Sequence, residues 1–97
     1  MSKKIIKAEE LHITDAEGNS RLIIFIENGF PSIKLQNPNP EFPSAVLELD
    51  SKGTHIKFTH PKGNSSYFFL NNEGSSGLVM INEKGERSYE NIVDDKG

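Results

Sequence analysis

His12, His55 and His60 are the only imidazoles in the chain, and they are the first residues to test for metal binding or proton transfer. His55 and His60 flank one apolar-polar alternating run, "THIKFTH". Five positions apart on a strand, their side chains leave opposite faces, so they do not form a ligand pair. His12 and His60 can meet only if tertiary pairing brings them together. "DAEGN" (15–19) alternates Asp15, Glu17 and Asn19 around Gly18. It lacks the D-x-D-x-D-G spacing and closing Glu of a calcium loop. Asp15 reads instead as the cap of its own turn. Ser65, Ser66, Ser75, Ser76 and Ser88 lie in or beside turns, and no G-x-S-x-G elbow surrounds them. "NEGSSG" has the composition of a phosphate loop but no following lysine or helix, so it reads as a hairpin loop. No catalytic, cofactor-binding or metal-binding set emerges, and the chain is read as a non-enzyme without cofactors.

The elements that would position such residues are short strands. Period-2 runs fall at 9–15, 21–27, 32–36, 45–50, 54–59, 66–71, 78–82 and 87–92, with Gly, Pro or Asn turns between them. No stretch carries a 3.6-residue apolar period long enough for a helix. The fold class is therefore all-β, an antiparallel meander of about eight short strands forming a barrel, a sandwich or an oligomeric β-assembly. One domain spans 1–97, with residues 93–97 expected to fray.

The runs also repeat. Sliding 8–37 onto 53–82 matches Thr14/Thr59, Gly18/Gly63, Asn19/Asn64, Ser20/Ser65, Gly29/Gly74 and Asn37/Asn82 without a gap. Apolar positions follow, among them Leu11/Ile56, Ile13/Phe58, Leu22/Tyr67, Ile24/Phe69 and Leu35/Met80. A half-period shows in Leu11, Ile33, Ile56 and Leu78, and in Gly18, Pro40, Gly63 and Gly85, spaced 22, 23 and 22 residues apart. Four hairpin units of about 22 residues thus cover 5–92.

"LHITDAEGNSRLIIFIENGFPSIKL" and "GLVMINEKGERS" carry a strand, a D-x-x-G-x-x-R-like turn and a returning apolar strand. In this the chain resembles the tandem β-hairpin repeats of uncharacterised bacterial proteins. "NPNPEFPS" and "HPKGNSS" depart from that pattern, lacking the acidic residue and the Arg. The resemblance implies a repetitive β architecture and no particular activity.

Composition narrows the partners. A formal charge of −3, with acidic and basic residues interspersed, offers no basic face to nucleic acid or anionic membrane. Lys34 and Lys57 recur at one repeat position and are expected to share a face, but two lysines make a small patch. There is no cysteine, so thiol chemistry and disulfides are excluded. The expectation is a cytoplasmic or phage-borne protein, with neither a signal peptide nor the roughly 20-residue apolar run of a membrane span.

"RLIIFIE" and "SYFFLN" are apolar on both faces. A closed barrel would leave Ile23, Phe25, Phe68 and Leu70 outside, or Leu22, Ile24, Tyr67 and Phe69 in the opposite phase. The first set is the candidate interface, because a contiguous apolar patch usually marks one. The expected function is a structural or protein-interaction module, a homo-oligomer or the ligand of a partner protein. A small barrel holding an apolar ligand and a mobile-element-encoded inhibitor of a host protein are the alternatives.

Overall fold

The computed structural model describes residues 3–94. Eight strands follow one another in chain order: β1 (Glu10–Thr14), β2 (Ser20–Glu27), β3 (Phe30–Leu35), β4 (Ser44–Asp50), β5 (Gly53–Thr59), β6 (Ser65–Asn71), β7 (Ser76–Ile81) and β8 (Arg87–Val93). Each pairs antiparallel with its sequence neighbours in a single sheet of order β1 to β8. All eight expected strands are present. Val93 belongs to β8 rather than to a frayed tail, and residues 95–97 of that tail lie outside the described ones.

Turn chemistry fixes this order. Asn28 and Gly29 both adopt positive φ, 52° and 83°, which a two-residue hairpin needs to match the twist of its strands. Four other turns share one plan. In Asp15–Asn19, His60–Asn64, Asn71–Ser75 and Asn82–Glu86 the first residue's N–H donates to the fifth carbonyl, and the fourth residue's N–H donates back. The fourth residue is glycine each time, at φ between 82° and 108°. The first side chain then caps the turn. Oδ1 of Asp15, Asn71 and Asn82 each accepts two backbone N–H groups, and His60 Nδ1 accepts one. Asp15 therefore acts in its own turn, as its sequence suggested.

Bulges set the phase of the strands. Between Ile13↔Leu22 and Thr14↔Ser20 the register slips, leaving Arg21 unopposed. β5 and β6 pair without such a slip. The 45-residue slide therefore puts Leu22 on Tyr67, yet the two residues lie on opposite faces. The three-residue loop 72–74 restores the phase, and Ile33 and Leu78 again share a face.

The sheet does not close, since β1 and β8 each have one strand neighbour. The radius of gyration is 16.3 Å, against about 12.5 Å for a compact chain of this length. Packing is correspondingly thin. Among the described residues, Val79 is the only buried hydrophobic side chain and Ser32 the only buried polar one. Within one chain the eight strands form a single meander sheet that is not closed on itself.

Gly53 shows how tightly that layer is knit. Its φ is 147°, and a Cβ there would collide with the Leu70 carbonyl oxygen and the Asn71 backbone. Gly18, at φ 87°, faces open space. Gly53→Ala is expected to lower the urea midpoint by the equivalent of about 2–3 kcal/mol, from strain plus displacement of β6. Gly18→Ala should cost about 1 kcal/mol, from strain alone. Equal losses would mean that β6 yields freely at its end.

Candidate interaction face

Because strand side chains alternate, the register assigns every one to a face. On one face a row crosses the whole sheet: Leu11, Ile24, Ile33, Leu47, Ile56, Phe68, Leu78 and Asn91. A second row runs Ile13, Leu22, Leu35, Ala45, Phe58, Ser66, Met80 and Tyr89. Ile26, Pro31, Leu49, Thr54, Leu70, Ser76 and Val93 complete this face. No strand position on it carries a charge. Most of its large side chains are exposed: Ile56 is 40%, Phe58 46% and Phe68 55% accessible. Among the described residues, the segment 3–9 and Phe42 of the Pro-rich loop are exposed themselves, Ile6 at 91% and Phe42 at 54%.

The opposite face is built differently. One of its rows reads His12, Ile23, Lys34, Val46, Lys57, Tyr67, Val79 and Glu90. The other reads Glu10, Phe25, Ser32, Glu48, His55, Phe69, Gly77 and Ile92. Lys34 and Lys57 do share this face, with Val46 between them. Here apolar groups are sealed by polar ones. Arg87 donates to Glu90 Oε2 at 2.8 Å and to the Tyr67 hydroxyl at 3.4 Å, bridging the two strands that flank Val79. Ser32 Oγ donates to Glu48 Oε2 at 3.4 Å, and Glu48 Oε1 lies 2.9 Å from His55 Nε2. Asp50 is 4.0 Å from the other imidazole nitrogen. Tyr67 and Phe69 pack at a 5.9 Å ring separation. An open hollow of about 260 Å³ beside them is lined by Asp50, His55, Tyr67, Phe69, Asn71 and Arg87, among others. Of its charged groups, Asp50 lies against His55 and Arg87 against Glu90. Among the described residues, no group of three or more His, Asp or Glu side chains could hold a metal ion.

The four residues expected to form one interface are divided. Ile23 and Phe25 lie half-buried on the polar face, whereas Phe68 and Leu70 stand exposed on the charge-free one, which they share with exposed Ile24 and half-buried Leu22. The Arg21 bulge is the physical reason. The half-period residues Leu11, Ile33, Ile56 and Leu78 all fall in the central row of the charge-free face, so that spacing is a signal that could have found it, although the candidate interface is not drawn from it.

One constellation has no counterpart in the sequence reading. Ser20 Oγ lies 2.6 Å from His12 Nδ1, and His12 Nε2 lies 2.8 Å from Glu10 Oε2. This resembles a Ser-His-acid relay with the imidazole nitrogens exchanged. It sits on the edge strand, with His12 40% and Glu10 59% exposed, where water screens the charges such chemistry concentrates. It fastens the bulged end of the β1–β2 hairpin. His12 and His60 do not meet, since β2, β3 and β4 separate their elements.

Asp15 has a measurable electrostatic signature. The Asn19 backbone N–H, then that of Glu17, with Arg21 adding to them, hold its carboxyl below the usual range. A depressed folded-state value adds stability above the unfolded value, and that contribution is lost as pH falls through the folded one. The expected carboxyl titration by NMR is an Asp15 midpoint below the usual aspartate range, moving upward when Arg21 becomes Ala. An Asp15 midpoint in the ordinary range would mean that its turn cap is not formed in solution.

No helix of the described residues is long and apolar enough to cross a membrane. Comparison with protein-family models, with curated proteins and with solved structures gave no match.

Proposed function

We propose that this chain is a non-enzymatic structural or protein-interaction module that works through the charge-free face of its sheet. The observation that carries this reading is the contrast between that face and the interior. On that face every strand contributes a large apolar side chain that stays 40% exposed or more, while Val79 alone is a buried hydrophobic among the described residues. Leaving so much apolar surface in water costs roughly 25 cal/mol per Å², and a layered domain gains stability when a second layer takes it up. The open sheet also encloses no interior of its own, which favours a module over a ligand-holding barrel. His55 and Arg87 each lie against carboxylates, a structural use of the groups best suited to catalysis.

Light scattering across a concentration series, repeated with an apolar fluorescent dye, tests the reading. The expected outcome is either an oligomer or a monomer that binds the dye strongly. A monomer that ignores the dye would show that the chain satisfies this face by itself, and the reading would fall.

A further inference from the structure

We infer that the occupant of the charge-free face is a second copy of this chain, laid face to face about a two-fold axis between the sheets, so that two eight-stranded layers close one sandwich. This rests on the interaction reading above and names its partner.

Area is the first argument. Eight strands, about 4.8 Å apart and roughly 20 Å long, present about 750 Å² on one side. A stable pair needs about 800 Å² from each partner. The face as a whole is therefore of the size a dimer buries; a fragment of it is not.

Charge is the second. A two-fold contact brings each patch against its own image, so any charge near the axis would meet its like in a dry layer. The charge-free rows satisfy that condition over all eight strands. The opposite face, with Glu10, Lys34, Glu48, Lys57 and Glu90 in its rows, does not. The charges lie outside the central rows, on the turns: Asp15, Glu17, Lys62, Glu83, Lys84 and Glu86 at one end of the sheet. That arrangement makes an apolar centre within a polar rim. Two twisted sheets stacked this way align within about 30° of each other, about 10 Å apart, and their side chains interdigitate.

The absence of cysteine makes the test direct. Ile56→Cys places a thiol at the centre of the face; Lys34→Cys places one on the other side. Solution mass and the rate of maleimide labelling are read together. The expected result is a two-chain mass, with the Ile56→Cys thiol labelled about tenfold or more slowly than the Lys34→Cys thiol, as burial dictates. Ile56→Lys should reduce the mass to one chain while Lys34→Glu leaves it at two. The labelling arm stands even if Ile56→Lys fails to fold. An oligomer whose two thiols label alike would overturn the proposal in favour of pairing through the β1 and β8 edges. A monomer with a fast Ile56→Cys thiol would also overturn it, leaving the face open for a different protein and the interaction reading intact. A monomer with a slow Ile56→Cys thiol would remove both.

Discussion

Val79→Asp is expected to abolish the cooperative folded state, whereas Val46→Asp, in the same cross-strand row, is expected to be tolerated. Both valines lie on the polar face, and their neighbours decide the difference. Val79 is fully buried, between Tyr67 and Glu90, with Arg87 tying those two strands together over it. A carboxylate there would be desolvated beside another carboxylate, and an uncompensated buried charge costs about 3–5 kcal/mol. Among the described residues of one chain no other hydrophobic side chain is fully buried, and folded proteins hold only a small margin of stability against such a loss. Val46 is only half-buried and sits between Lys34 and Lys57, so an aspartate there gains two opposite charges across the strands. Cross-strand pairs of that kind are worth about 0.2–1 kcal/mol each, enough to offset most of the lost apolar contact. Far-UV circular dichroism and urea titration of the two variants check this. Similar behaviour of both would mean that Val79 is not the anchor its burial suggests.

The strands and their order were legible in the sequence because alternation and turn residues are local. Asn28-Gly29 dictated its hairpin wherever the rest of the chain went. Asp15 and Gly18 likewise announced a turn that recurs, with the same hydrogen bonds, at Asn71 and Asn82. What the sequence did not reveal is which apolar residues face together. That depends on a one-residue slip, and the bulge at Arg21 exchanges the faces of β2 relative to its repeat partner β6. Leu22 and Tyr67 look equivalent in the repeat yet point in opposite directions. The candidate interface built on that equivalence mixes Ile23 and Phe25 from one face with Phe68 and Leu70 from the other. The Ser20–His12–Glu10 chain escaped for a related reason. Ser20 and His12 are eight positions apart, and only the slipped register of β1 on β2 brings hydroxyl and imidazole into contact. The openness of the sheet lies at a level that local patterns do not encode, since the same eight alternating strands suit a barrel, a sandwich or a single layer.

Stability itself should depend on protein concentration. If two layers share one core, unfolding is coupled to dissociation, and each tenfold increase in concentration adds about 1.4 kcal/mol to the apparent stability. The urea midpoint is therefore expected to climb steadily over a thousandfold range, by about 4 kcal/mol in all. Ile56→Lys should remove that dependence, because a lysine at the centre of the face cannot be stacked against its own image. The slope of the transition carries separate information. It scales with the surface exposed on unfolding, so a two-layer native state should give a steeper transition per chain than a lone sheet whose apolar face is already wet. A midpoint that rises together with a steep slope places the apolar rows inside the folded state. A rising midpoint with a shallow slope would instead put the contact at the β1 and β8 edges, where backbone groups pair but little apolar surface is buried.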